Sequence, residues 1–263
     1  MTIVDGESIT QLRESVDCLR ALLESADDAT LGDQSACADW SVARVAAHLG
    51  AGAEISLAGL TGGLAGSTEP VASEDMQAIW DAYDALDDRA AVRRAVDADR
   101  SLVEAFDQLT DIQLADVRVP FFTGPVSVGT FAAFRLSEHA VHTWDIESAH
   151  RPEAELSSPA AATILDSVVM ALFERLAQPQ PLAASTVAVR LVDSGRELTM
   201  RLDEPVGLGP RSADDVSDGA MTTTTAALVR LLYGRSEPGI ASSSTEFTGP
   251  VTIETIRTVF PGF

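Results

Sequence analysis

Three side chains in this chain have the types and spacing for metal chemistry. They are His48, in the run Trp40-Ser41-Val42-Ala43-Arg44-Val45-Ala46-Ala47-His48-Leu49, and the pair Glu138 and His142, in Arg135-Leu136-Ser137-Glu138-His139-Ala140-Val141-His142-Thr143-Trp144-Asp145-Ile146. A carboxylate and an imidazole four residues apart fall on one face of a helix, about one turn from each other. A third ligand from another helix completes a His2Glu set, which binds zinc or another divalent metal and leaves one coordination position open. Three of the four histidines lie in or beside apolar helical segments, where a polar group without a partner is costly. His139 is the rival of His142, but it points about 100° around the helix from Glu138, and His150 follows the helix and is expected at the surface. Asp145 shares the face of His142, where it would orient that ligand or meet a substrate cation; a surface carboxylate near the helix end is the competing reading.

These residues need helices to hold them. Apolar residues at Ile9, Leu12, Val16, Leu19 and Leu22 or Leu23 make one amphipathic stripe, and a second helix is expected from Ser41, a good N-cap, to about Leu60. Thr61 to Ser67, ending at Glu69-Pro70, reads as a loop. Helical spacing resumes at Ser73 and continues to about Leu109, with a break near Arg89. A short extended piece, Val117 to Phe122, and a turn at Thr123-Gly124-Pro125 precede a helix from about Thr130 to Ala149. These segments predict an antiparallel four-helix bundle over residues 1–150, an architecture in which facing helices build metal sites.

Residues 151–263 predict a smaller α+β domain after a linker at Arg151 to Glu155. Ser158-Pro159 opens a helix to about Leu176. The period then changes: Val187, Val189, Leu191 and Leu198, Met200, Leu202 alternate about a hairpin turn at Asp193-Ser194-Gly195-Arg196. Thr222 to Thr225 cap a short helix ending at Tyr233-Gly234-Arg235, and Ile253, Ile256 and Val259 mark a final helical piece.

Composition narrows the function classes. A formal net charge of −22 repels nucleic acid and anionic membrane surfaces. All 18 basic residues are arginine, so Schiff-base chemistry and the lysine of a phosphate-binding loop are excluded. The two cysteines, Cys18 and Cys37, have neither CxxC nor metal-ligand spacing and read as small packed hydrophobes. With no basic region before an apolar stretch at the start and no bilayer-length segment, the chain is expected to be cytoplasmic and soluble. The pattern carries no signal of oligomeric state.

On these residues the sequence resembles the mycothiol-dependent maleylpyruvate isomerase family, whose N-terminal domain is a DinB-like metal-binding helical bundle. The resemblance rests on Trp40-Ser41-Val42 leading to Ala47-His48-Leu49, on Phe122-Thr123-Gly124-Pro125, and on Glu138-x3-His142-Thr143-Trp144-Asp145-Ile146. It implies that His48, Glu138 and His142 are zinc ligands. The second half is similar to the family's sterol-carrier-like α/β domain, most clearly at Leu231-Leu232-Tyr233-Gly234-Arg235. By analogy Arg235 would bind a substrate carboxylate bidentately, with a structural helix cap as the alternative. From Met76 to Tyr83, where the isomerase would offer an arginine to its diacid, this chain has Met-Gln-Ala-Ile-Trp-Asp-Ala-Tyr.

The expectation is a thiol-dependent metalloenzyme in which zinc holds mycothiol as thiolate against a small electrophile. The outcome is isomerisation if the adduct rotates and expels the thiol, and S-transfer if the thioether persists. A zinc hydrolase using metal-bound water, with Asp145 as the nearby base, and a non-catalytic metal- or ligand-binding regulatory protein are the alternatives.

Overall fold

Helix starts in the first half are written by small polar side chains. In the computed structural model, which describes residues 5–182, 184–235 and 245–262, α1 (Asp5–Ser25) is followed by the short α2 (Asp28–Gly32), capped by Asp27 on the Thr30 amide. Ser41 caps α3 (Val42–Leu64) on the Arg44 amide. Next come α4 (Ser73–Asp84), α5 (Asp88–Asp107), capped by Asp87, and α6 (Asp111–Asp116), whose Thr110 and Gln113 form a capping box. A two-residue ladder, β1 (Arg118–Val119) with β2 (Val126–Ser127), turns through Gly124 at φ +103° and leads directly into α7 (Val128–Ser148).

The long helices α1, α3, α5 and α7 build the core of this half. The pairs α3–α5 and α1–α7 pack most extensively, and Leu19, Val45, Leu49, Val92 and Ile146 meet in one buried cluster. Two features depart from the sequence reading. The segment expected as a loop from Thr61 is helical through Leu64, because packing overrides the low helix propensity of Gly62 and Gly63. A Cβ at Gly63 would sit 2.9 Å from the Arg118 carbonyl, so glycine is what lets β1 lie against α3. The break expected near Arg89 falls earlier, at residues 85–87, where Asp87 caps α5.

The chain divides into two units, Met1–Ala154 and Glu155–Phe263. In the second, α8 (Ser158–Ile164) continues through a π-helical stretch, Leu165–Val169, into α9 (Met170–Leu176). The cap is Ser157, one residue before the expected position. Strands β3 (Thr186–Leu191), β4 (Glu197–Arg201), β5 (Gly207–Pro210) and β6 (Gly219–Thr223) are followed by α10 (Thr225–Leu232), β7 (Glu246–Thr248) and α11 (Ile253–Val259). The sheet order is β5-β4-β3-β6-β7, with β3–β6 parallel and the other pairs antiparallel. Register sets Val187 opposite Met200 and Val189 between Leu198 and Met221, all buried, so alternate residues supply one apolar face. The fold is α+β, and no helix among the described residues is long and apolar enough to cross a membrane.

Candidate metal centre

Two helices bring the three predicted ligands together. His48 lies in the second turn of α3, and Glu138 and His142 are one turn apart on α7. Glu138 Oε2 is 3.3 Å from His48 Nε2 and 3.9 Å from His142 Nε2, and all three donor atoms lie within 4.8 Å of one another. Donors bonded to one tetrahedral zinc at about 2.0–2.2 Å stand about 3.4 Å apart, so the set needs little movement to close on an ion. The Glu138 side chain is 52% exposed while the two imidazoles are largely covered, which leaves the carboxylate side as the approach to the cluster.

Electrostatics favour the ligand forms. Burial lowers the His48 pKa, only partly opposed by its hydrogen bond with Glu138, so its ring is held neutral. Burial alone would raise Glu138, but the His48 hydrogen bond and the electrostatic interactions with the neighbouring imidazoles and Arg135 outweigh it and bring the carboxyl down to about 2. A neutral imidazole and an ionised carboxylate are what a divalent cation requires.

Asp145 is fully buried, with Oδ2 2.8 Å from His142 Nδ1. It therefore supports the imidazole from behind, as carboxylate partners of metal-binding histidines do. That burial and contact favour the orienting role over a meeting with a substrate cation, and they contradict the surface-carboxylate reading. Arg235 lies in the second unit, where its Nη1 donates to the Tyr233 carbonyl at 2.8 Å and its amide to the Arg230 carbonyl at the end of α10. Gly234, at φ +79°, makes that turn.

His139 turns into the bundle core, away from the cluster. Its Nε2 faces Asp99 Oδ2 at 3.2 Å and its Nδ1 faces Ser15 Oγ at 2.8 Å. Arg135 Nη2 completes this buried network by donating to Asp99 Oδ1 at 2.9 Å and to the Leu49 carbonyl at 2.6 Å. The network thus ties α1, α3, α5 and α7 together next to Glu138. A Cβ at Gly52 would lie 2.8 Å from Arg135 Nη1, so that glycine makes room for the guanidinium.

Sequence reasoning missed three neighbours. Trp80 of α4 stacks on His48 with ring centroids 5.2 Å apart, and Trp40 lies 5.0 Å from His48 and 6.1 Å from His142. Cys37, read as a small packed hydrophobe without metal-ligand spacing, has its sulfur within 4.8 Å of donor atoms of His142 and Asp145. The loop joining α2 to α3 puts it there: the Ala36 amide donates to the Asp145 carbonyl, and Gln34 and Ser35 side chains bond the Cys37 and Trp40 carbonyls. Trp40 was visible in its motif, but loop geometry and the α4–α3 contact have no local signature.

No curated protein matches the chain. Among solved structures, that of a mycothiol-dependent maleylpyruvate isomerase is similar at a TM-score of 0.69 and 17% identity, covering 96% of this chain and 98% of that one. A histidine-to-alanine variant of such an isomerase gives 0.69 and 16% over the same shares. At these identities the likeness shows the fold. The family model described as the mycothiol maleylpyruvate isomerase N-terminal domain matches residues 12–147, more than half of the sequence and a span that includes His48, Glu138 and His142, and the chain belongs to that family.

Proposed function

We propose that the chain is a zinc-dependent enzyme that uses mycothiol as thiol cosubstrate on a small electrophile, with cis-trans isomerisation as the favoured outcome and S-transfer as the variant. The observation that carries this reading is the convergence of His48, Glu138 and His142 from two helices, at spacings that suit one tetrahedral ion. Family membership supplies the thiol and the isomerase class, and it agrees with the names of the solved proteins that share the fold.

In this reading His48 Nε2, Glu138 Oε2 and His142 Nε2 hold the ion. Bound there, zinc supplies an open position in which a thiol is kept deprotonated, although a free thiol at neutral pH is mostly protonated. Asp145 would accept a hydrogen bond from Nδ1–H of His142 and so fix the tautomer that leaves the Nε2 lone pair for the ion. Trp40 and Trp80 pack on the His48 ring and restrict water around it. The Arg135–Asp99–His139 network sets the helix register that brings Glu138 opposite His48.

The test is elemental analysis of the purified protein beside His142→Ala, followed by titration with mycothiol. One zinc per chain, lost in the variant, with thiol binding that depends on it, supports the proposal. A full equivalent of metal retained in His142→Ala overturns the ligand assignment.

A further inference from the structure

We infer that this site takes an uncharged electrophile with a flat aromatic or similarly apolar body, an inference that rests on the thiol-dependent reading above. The surroundings of the metal cluster are aromatic. Trp40 and Trp80, both half-buried, stack against the histidine ligands. One turn before Glu138 on α7 stands Phe134, also half-buried, with Phe121 at a ring distance of 4.7 Å and Phe122 at 6.1 Å. Phe122 is 61% exposed. Partly exposed aromatic rings beside a set of convergent polar groups are the usual walls of a site for an apolar ligand.

Within the first unit, the arginines around the cluster are already engaged. Arg44 is paired with Asp84 and lies over the Trp40 ring. Arg94 donates twice to Glu54, at 2.7 and 2.8 Å, and covers Tyr83. Arg135 is buried on Asp99. Recruiting Arg135 would strand the buried Asp99 carboxylate and recruiting Arg94 the partly buried Glu54, and the net charge of −22 disfavours the approach of a dianion.

With an aromatic enone, addition of the thiol sulfur to the β-carbon forms a C–S bond while the C=C pair moves onto the carbonyl. For S-transfer the thiol proton ends on the α-carbon. For isomerisation the pair returns after rotation, re-forms the double bond and expels the thiol unchanged.

The experiment is calorimetric titration of the zinc-reconstituted protein with benzylideneacetone, neutral and flat, against fumarate. The enone should bind at least tenfold tighter, and Phe134→Ala should weaken it about tenfold. Phe122→Ala, at a largely exposed position, should weaken it about threefold. Fumarate binding as tightly as the enone, or enone affinity unchanged in both variants, overturns the inference. Higher mycothiol-dependent kcat/KM on maleate than on the enone also overturns it while upholding the thiol chemistry. Enone binding that obeys the variants without any thiol reaction upholds the apolar site and removes the proposed activity instead.

Discussion

His142 Nδ1 and Asp145 Oδ2 lie 2.8 Å apart, one turn along α7, with the carboxylate wholly inside the bundle. This contact decides which imidazole nitrogen is available, since Nδ1 is committed and Nε2 is turned toward Glu138. Asp145→Asn keeps the shape and removes the charge that polarises the ring. It should lower zinc affinity by about 10–100-fold, with far-ultraviolet circular dichroism unchanged. Competition against a chromophoric chelator measures it, and wild-type affinity in the variant would show that the carboxylate does not tune the site.

Two donor clusters share His142, one with His48 and Glu138 and the other with Cys37 and Asp145. Because Asp145 already holds Nδ1, the cysteine set can ligate only by breaking that hydrogen bond, whereas the first set keeps it. Cys37→Ser should therefore retain a full equivalent of zinc while His48→Ala loses most of it. Metal loss in Cys37→Ser, read by elemental analysis, would transfer the assignment to the second cluster.

The buried Asp99 carboxyl predicts a pH-dependent contribution to stability. Burial would raise its pKa, but His139 and Arg135 outweigh that and hold it below the ordinary value of 3.8. The group binds protons more readily in the unfolded chain, so its stabilisation is fully present above pH 3.8 and is lost as pH falls through the lower folded value. Asp99→Asn leaves Arg135 buried without its counter-charge and should cost about 3–5 kcal/mol near neutrality. Because His139 touches Asp99 and itself titrates below its ordinary value, the test is the limb below pH 4, where the gap between the two proteins in urea denaturation should narrow as pH falls. A gap that widened below pH 4 would reverse the assigned sign.

What the sequence disclosed follows from periodicity and local capping. Ser41 and the apolar spacing beyond it located α3, and the Val187 to Leu202 alternation located the β3–β4 hairpin, because both signals are carried by residues a few positions apart. Glu138 and His142 were legible for the same reason. The rest is tertiary. Gly63 reads as a loop residue until the close approach of β1 explains it, and β5 and β6, rich in Gly and Thr, carry no clean alternation. Helical geometry showed that His139 faces away from Glu138, but only the packed bundle identifies Asp99 and Ser15 as its partners.

Gly50, two residues after His48 on α3, tests how tightly the site depends on that packing. A Cβ there would fall 2.5 Å from Ala95 of α5 and 2.5 Å from the Tyr83 hydroxyl of α4. The Ala95 backbone cannot yield without separating α3 from α5, so Gly50→Ala should destabilise by about 1–3 kcal/mol through overpacking. Tyr83 and Trp80 are three residues apart on α4, so displacement of the hydroxyl also shifts the indole that stacks on His48. The variant should accordingly lose zinc affinity beyond what its stability loss explains, measured at a temperature where it is fully folded. Unchanged affinity in the folded variant would mean that α4 adjusts independently of the metal cluster, and that Trp80 does not help to hold His48 in place.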